Sequence, residues 1–130
     1  MDDITKSYYE MFRNWCNRFS LSDAREESVL LKFLREFLNE DEIVGFYYQQ
    51  QELFVLTANG ILKLSIYNGE TQMHIIPLNL IKDIKITKKP NQIYKVLIIY
   101  NDNDSLSLKS DNESQNEALH IFIKHLMEEL

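Results

Sequence analysis

The hydrophobic positions of residues 1–41 follow helical periods. Large apolar side chains recur at three- and four-residue steps in two segments, which the polar residues 20–23 separate. They are Ile4, Tyr8, Phe12, Trp15 and Phe19 in the first segment, and Leu30, Phe33, Leu34, Phe37 and Leu38 in the second. A short connection between two amphipathic helices usually produces an antiparallel pair. We therefore expect residues 1–41 to form an N-terminal helical hairpin, packed on or beside the rest of the protein.

From residue 42 the apolar positions alternate with polar ones, which predicts β-strands. Seven strands are expected at about 43–49, 52–58, 61–67, 71–77, 80–88, 93–100 and 104–109. The dipeptides Asn59-Gly60 and Asn68-Gly69 supply the positive φ angles that two-residue type I′ hairpin turns require. No helical pattern interrupts the strands, so we predict one antiparallel meander.

The helical period returns after Asp111 and Asn112, either of which can cap a helix. The apolar stripe of this C-terminal helix comprises Leu119, Phe122, Ile123, Leu126 and Leu130, with Met127 at its edge. A helix with one apolar face needs a hydrophobic surface to cover. We expect that surface to be the open end of the sheet.

Two stretches resemble bacterial pleckstrin-homology-like domains and their GRAM-type relatives. Residues 53–62 (LFVLTANGIL) look like the opening hairpin of those domains, and residues 76–84 (IPLNLIKDI) look like a later strand entry. The resemblance implies an α+β fold, in which residues 42–130 form a seven-stranded antiparallel pleckstrin-homology-like sheet or barrel closed by the C-terminal helix. Residues 1–41 form a separate N-terminal unit in this interpretation, which resembles small proteins of low-GC Gram-positive bacteria.

Composition and charge exclude several classes of protein. The chain has 130 residues, a formal net charge of −6 and one cysteine. An acidic total disfavours non-specific binding to nucleic acid or to an anionic membrane. One cysteine is too few for an intramolecular disulfide or a zinc site, and the first residues do not resemble a secretory signal. We expect a cytoplasmic protein without metal, cofactor or nucleic-acid partner.

The one candidate anion-binding patch is a set of lysines around the fifth predicted strand. These lysines are Lys82, Lys85, Lys88, Lys89 and Lys95, and Asp83 is the only acid among them. They could hold an anionic membrane or another anionic ligand through weak contacts that salt screens. The alternative is a solvated strand face whose lysines discourage pairing with other chains. Phosphoinositide-binding relatives carry basic residues at the first hairpin, whereas residues 48–52 (YQQQE) carry none.

The aromatic residues of the first predicted helix are the candidate partner surface. They are Tyr8, Tyr9, Phe12 and Trp15. Either they pack against the second helix or the sheet, or they bind a partner or a second copy, because Trp and Tyr often anchor interfaces.

Catalytic motifs are not evident. His120 and His125 are five residues apart, which does not place them on one helical face, and the three glycines form no phosphate-binding loop. We therefore expect a non-catalytic interaction module that binds a protein or peptide. It would act through the helical hairpin or by strand addition at an exposed sheet edge. Binding of an anionic membrane through the lysines is the alternative.

Overall fold

The computed structural model describes residues 30, 32–34, 36–49, 52–88, 90 and 94–130. The first predicted helix and most of the second lie outside these residues. Residues 30 and 32–34 are helical, and Leu30 and Leu34 are fully buried in the same hydrophobic core as the strands. Phe33 and Phe37 place their ring centroids 5.3 Å apart where this helical segment gives way to a turn.

Seven antiparallel strands follow a short 3₁₀ helix, Glu40–Glu42. They are β1 (Ile43–Gln49), β2 (Glu52–Thr57), β3 (Gly60–Tyr67), β4 (Glu70–Pro77), β5 (Ile81–Lys88), β6 (Tyr94–Tyr100) and β7 (Asp104–Ser110). Their predicted limits agree with these to within one residue. The predicted single seven-stranded sheet or barrel is wrong, however. β1 to β4 form one sheet in chain order, and β5 to β7 form a second.

The meander breaks between β4 and β5 because the backbone turns there. Pro77, which has no amide hydrogen for a ladder, ends β4, and Leu78–Leu80 form a 3₁₀ turn. Leu78 is buried, and its backbone N–H donates to Asn59 O at 3.0 Å. This anchored turn carries the chain from one sheet to the other, so that β4 and β5 do not pair.

Side chains of β1 join the two sheets at the opposite corner. The amide of Gln49 donates from Nε2 to Ser107 O at 3.0 Å and accepts at Oε1 from Lys109 N at 2.7 Å. The Tyr47 hydroxyl donates to Lys109 O. Gln49 thus makes with β7 the two hydrogen bonds that a neighbouring strand would otherwise make.

The two Asn-Gly dipeptides form different turns. Asn68 and Gly69 have φ angles of 52° and 77°, which confirms the predicted positive φ values. The same prediction for Asn59-Gly60 is wrong, since neither residue has positive φ. There the Thr57 hydroxyl accepts from both backbone amides and organises the turn. Gly60 is needed for another reason, because a Cβ atom would lie 2.7 Å from Ile76 O.

The C-terminal helix, Glu113–Glu129, begins as predicted after Asn112, whose side chain accepts from Gln115 N at 2.9 Å. It packs mainly on β1 and β7, with the rings of Phe122 and Tyr47 6.3 Å apart. Four predicted members of its apolar stripe are buried: Leu119, Phe122, Ile123 and Leu126. Leu130 is 56% exposed, so its predicted place in the buried stripe is wrong.

Candidate binding groove and lysine face

β5 is the most exposed strand of the second sheet. It forms one edge of that sheet and pairs only with β6 among the described strands. None of its eight residues is fully buried. The backbone groups of an edge strand that point away from its neighbour are available to another chain.

The register with β6 assigns the side chains of β5 to two faces. Ile84 lies opposite Ile98 and Ile86 lies opposite Val96, and both β6 residues are fully buried. Ile84 and Ile86 are therefore on the inner face, and the intervening Lys85 is on the outer one. Ile86 is nevertheless 47% exposed, because the helix sits on β1 and β7 rather than over β5.

A groove lies between the inner face of β5 and the C-terminal helix, and we call it the β5–helix groove. At its apolar end it is lined by Ile81, Ile84, Ile86, Met127 and Leu130, with Lys82 and Asp83 beside them. Met127 is 60% exposed there. This end presents two strand isoleucines and two flexible helix side chains to solvent, which suits an apolar side chain of irregular shape.

The polar end of the groove lies where β5 finishes. Its lining consists of Lys88, Glu113, Asn116, Glu117 and His120. Both ends use one side of the helix, because Glu113, Glu117, His120 and Met127 follow one another at steps of four, three and seven. The two ends are separate depressions, one near each end of β5, and the helix that lines both runs antiparallel to the strand.

The predicted lysine patch is only partly assembled. Lys85 and Lys95 lie diagonally on the outer face of the second sheet, because Lys85 pairs with Leu97 and Lys95 with Thr87. Lys82 forms an exposed ion pair with Asp102 at 2.8 Å, and Lys88 belongs to the polar end of the groove. Lys89 lies outside the described residues.

Lys109 joins Lys85 and Lys95, although the sequence set did not include it. It is directly opposite Lys95 across β6 and β7. We call Lys85, Lys95 and Lys109 the lysine face. The sequence does indicate that Lys109 faces solvent, because it alternates with the apolar Leu106 and Leu108 along β7.

The candidate partner surface of Tyr8, Tyr9, Phe12 and Trp15 lies outside the described residues, so it stays a prediction.

Three tyrosines of the described strands have raised phenol pKa values. Tyr47, Tyr94 and Tyr100 are buried, and burial is the main cause that raises the pKa of each phenol. The charges of Asp111 and Asp104 raise the pKa of Tyr47 and Tyr100 further, while Lys63 lowers that of Tyr100. None of the three is among the residues that line the groove.

A third depression lies on the first sheet and is polar. It is lined by Lys63, Ser65, Gln72, Met73 and His74. Lys63 forms an ion pair with Glu52 at 2.8 Å, and the His74 ring meets the Tyr100 ring edge-on at 5.8 Å. Within the described ranges, no three His, Cys, Asp or Glu side chains come together as a metal site would require.

In the described part of the chain, no helix is long and apolar enough to span a membrane.

No protein-family model matches the chain, and no curated protein matches it. Among solved structures, a pleckstrin homology domain from Shewanella amazonensis SB2B is similar, with a TM-score of 0.57 and 14% sequence identity. The match covers 75% of this chain and 95% of that domain. The chain therefore has a pleckstrin-homology-like fold, as the two sequence stretches implied.

Proposed function

We propose that this protein is a non-catalytic interaction module that binds an extended segment of a partner protein by strand addition at β5. The observation that carries this proposal is the combination of a sheet edge that no described strand pairs with and an apolar groove beside it. In strand addition, main-chain hydrogen bonds supply affinity, and pockets for alternate side chains supply specificity.

The backbone of β5 supports the first half of this mechanism. Its eight residues span about 25 Å at the rise of a β-strand, enough for a partner segment of similar length. In the part of the chain described, β5 makes ladder hydrogen bonds only to β6. About half of its N–H and C=O groups thus point outward, where an added strand would meet them.

The groove supports the second half. Alternate side chains of an added strand would lie on the inner face beside Ile84 and Ile86, where Met127 and Leu130 provide the opposite wall. These four apolar residues are half-buried or exposed, so a bound side chain would remove their surface from water.

The charge of β5 favours a different chain over a second copy. Lys82, Lys85 and Lys88 would approach the same residues of another β5 if two edges paired, and the like charges would repel. Binding through the N-terminal aromatic residues stays a prediction.

The proposal is tested by selecting ten-residue peptides from a randomised display library against the full chain, and measuring their affinity by fluorescence anisotropy. We expect extended apolar-alternating peptides whose affinity falls at least tenfold in Ile86→Gln and Met127→Gln. The matched control is Ile75→Gln, because Ile75 is a strand isoleucine of similar exposure (57%) on β4. These replacements leave the net charge unchanged.

A proline scan of β5 tests the backbone contribution separately. Successive backbone N–H groups of a strand point to opposite sides. Of Lys85→Pro and Ile86→Pro, one therefore removes an N–H that bonds to β6, and the other removes only an N–H that points away from β6. The variant that keeps its melting temperature must lose peptide binding. The proposal is wrong if that variant binds normally, or if the selected peptides bind Ile86→Gln and Ile75→Gln equally well.

A further inference from the structure

The lysine face places like charges on neighbouring strands. Lys95 and Lys109 lie opposite each other on β6 and β7, and Lys85 is the diagonal neighbour of Lys95 on β5. Like charges directly opposite in a sheet are destabilising. Among the described residues, none of these three ammonium groups forms an ion pair, whereas Lys63 and Lys82 do. Within the described part of the chain, this face is therefore positive without a paired acid, although the net charge of the chain is −6.

This surface is adjacent to the proposed strand-addition site. An added strand would place every second side chain on the outer face, beside Asp83, Lys85 and Thr87 in turn. Directly opposite side chains come within about 5 Å, and the next strand is about 5 Å further away. A carboxylate opposite Lys85 would meet that lysine directly. One opposite Thr87 would lie within reach of Lys95, which is paired with Thr87.

The order of charges along β5 also limits the register. The outer face begins with the negative Asp83, continues with Lys85 and ends at Thr87 with Lys95 behind it. An acidic residue beside Asp83 would be repelled, whereas one beside Lys85 or Thr87 would be attracted. The inner face requires apolar residues at the alternate positions.

We infer that the partner segment is an extended strand that alternates apolar with acidic residues, its carboxylates lying over Lys85 and Lys95. This inference rests on the proposed function, because it assigns the chemistry of the segment that binds at β5. Lys109 strengthens the positive field but lies one strand further away, so its contribution is smaller.

The test uses three capped nine-residue peptides in which valine alternates with threonine and two central threonines are replaced. The replacement is Glu in the first peptide, Gln in the second and Lys in the third. Dissociation constants for the full chain are measured by calorimetry at low and high salt. We expect the Glu peptide to bind about three- to tenfold more tightly than the Gln peptide, and the Lys peptide to bind most weakly.

Two further results should follow if the lysines cause this preference. The difference between the Glu and Gln peptides should nearly vanish at about 1 M salt, where the screening length is about 3 Å. It should also vanish in Lys85→Gln/Lys95→Gln, which should bind the Gln peptide unchanged. Lys124→Gln removes one exposed lysine from the helix, so it controls for the loss of positive charge elsewhere and should keep the difference between the Glu and Gln peptides.

The outcomes separate this inference from the function on which it rests. Equal affinity for all three peptides, with loss of binding in Ile86→Gln, would overturn the acidic preference and keep the strand-addition site. If none of the peptides binds, and the library selection yields no binder, strand addition itself is wrong. Salt-sensitive flotation with anionic vesicles that depends on Lys85 and Lys95, without peptide binding, would overturn the inference in favour of a membrane surface.

Discussion

β2 and β5 are strands of similar length in the same fold, yet their surroundings are opposite. β2 lies inside the first sheet, between β1 and β3, and its five residues from Leu53 to Thr57 are all buried. β5 lies at an edge of the second sheet, and none of its residues is buried. Side chains on both faces of β2 are buried, whereas β5 has only half-buried side chains on its inner face and exposed ones elsewhere. The comparison separates the part of the molecule that maintains the fold from the part available for binding.

The sequences of the two strands already differ in the relevant way. The run Leu53-Phe54-Val55-Leu56 is continuously apolar, as expected for a strand buried on both faces. β5 instead alternates isoleucine with lysine, aspartate and threonine. A strand of the second kind contributes less to the core, and its exposed edge can acquire a binding role without weakening the first sheet.

Truncation of a core side chain should give the largest difference between the two strands. Phe54→Ala should lower the free energy of unfolding by about 3–5 kcal/mol, because the ring is 99% buried and leaves a cavity. Ile86→Ala should lower it by only about 1 kcal/mol, since nearly half of that side chain is already in water. Urea denaturation of both variants measures the difference. Equal losses would mean that β5 is as well packed as β2.

Removal of the Gln49 amide should have the next largest effect, because it separates the two sheets. Gln49→Ala leaves Ser107 O and Lys109 N without their side-chain partner, which should cost about 1–3 kcal/mol. Gln72→Ala, at an exposed position of β4, is the control and should change stability by less than about 0.5 kcal/mol. Urea denaturation also measures this pair. A neutral Gln49→Ala would show that the corner between β1 and β7 does not depend on this amide.

Alkaline pH should destabilise the protein through Tyr47, which joins the same corner. Burial, and then the charge of Asp111, raise the pKa of the Tyr47 phenol well above its ordinary value of 10. Below about pH 10 the phenol is neutral in both states. As pH rises further it ionises in the unfolded chain first, so stability is lost, by at most about 1.4 kcal/mol per pH unit from this group.

Comparison of the wild type with Tyr47→Phe isolates this contribution. The variant should lose the hydrogen bond to Lys109 O at neutral pH, but its stability should fall less steeply above pH 10. Part of the alkaline loss should remain, because burial also raises the pKa of Tyr94 and Tyr100. Identical slopes for the two proteins between pH 10 and 11 would contradict the assignment.

The pattern along the chain predicted the limits of the strands well, because turn residues separate the strands and several of them, such as β3, β5 and β7, carry a two-residue period. It could not predict that β4 and β5 separate, since the period identifies the face of a side chain but not the neighbouring strand. The local signal was present at Pro77, followed by the apolar Leu78. The hairpin at Asn59-Gly60 forms as predicted, but its predicted positive φ angles are wrong because the Thr57 hydroxyl organises the turn instead.

The candidate site was less predictable, because it depends on where the helix lies. The helical period places Leu130 in the apolar stripe and Met127 at its edge, and only the position of the helix over β1 and β7 leaves them exposed. The five lysines of the predicted patch are close in sequence, which does not place them on one face. Lys85 and Lys88 lie on opposite faces of β5, whereas Lys109 reaches the lysine face from a different strand.

Amide hydrogen exchange in the free protein tests most directly whether β5 has an open edge. The account predicts slow exchange throughout β2, and alternate fast and slow amides along β5, with the fast ones pointing away from β6. Bound Glu peptide should slow these fast amides and leave β2 unchanged. If every β5 amide in the free protein is already as protected as those of β2, the edge is covered in solution and the account is wrong.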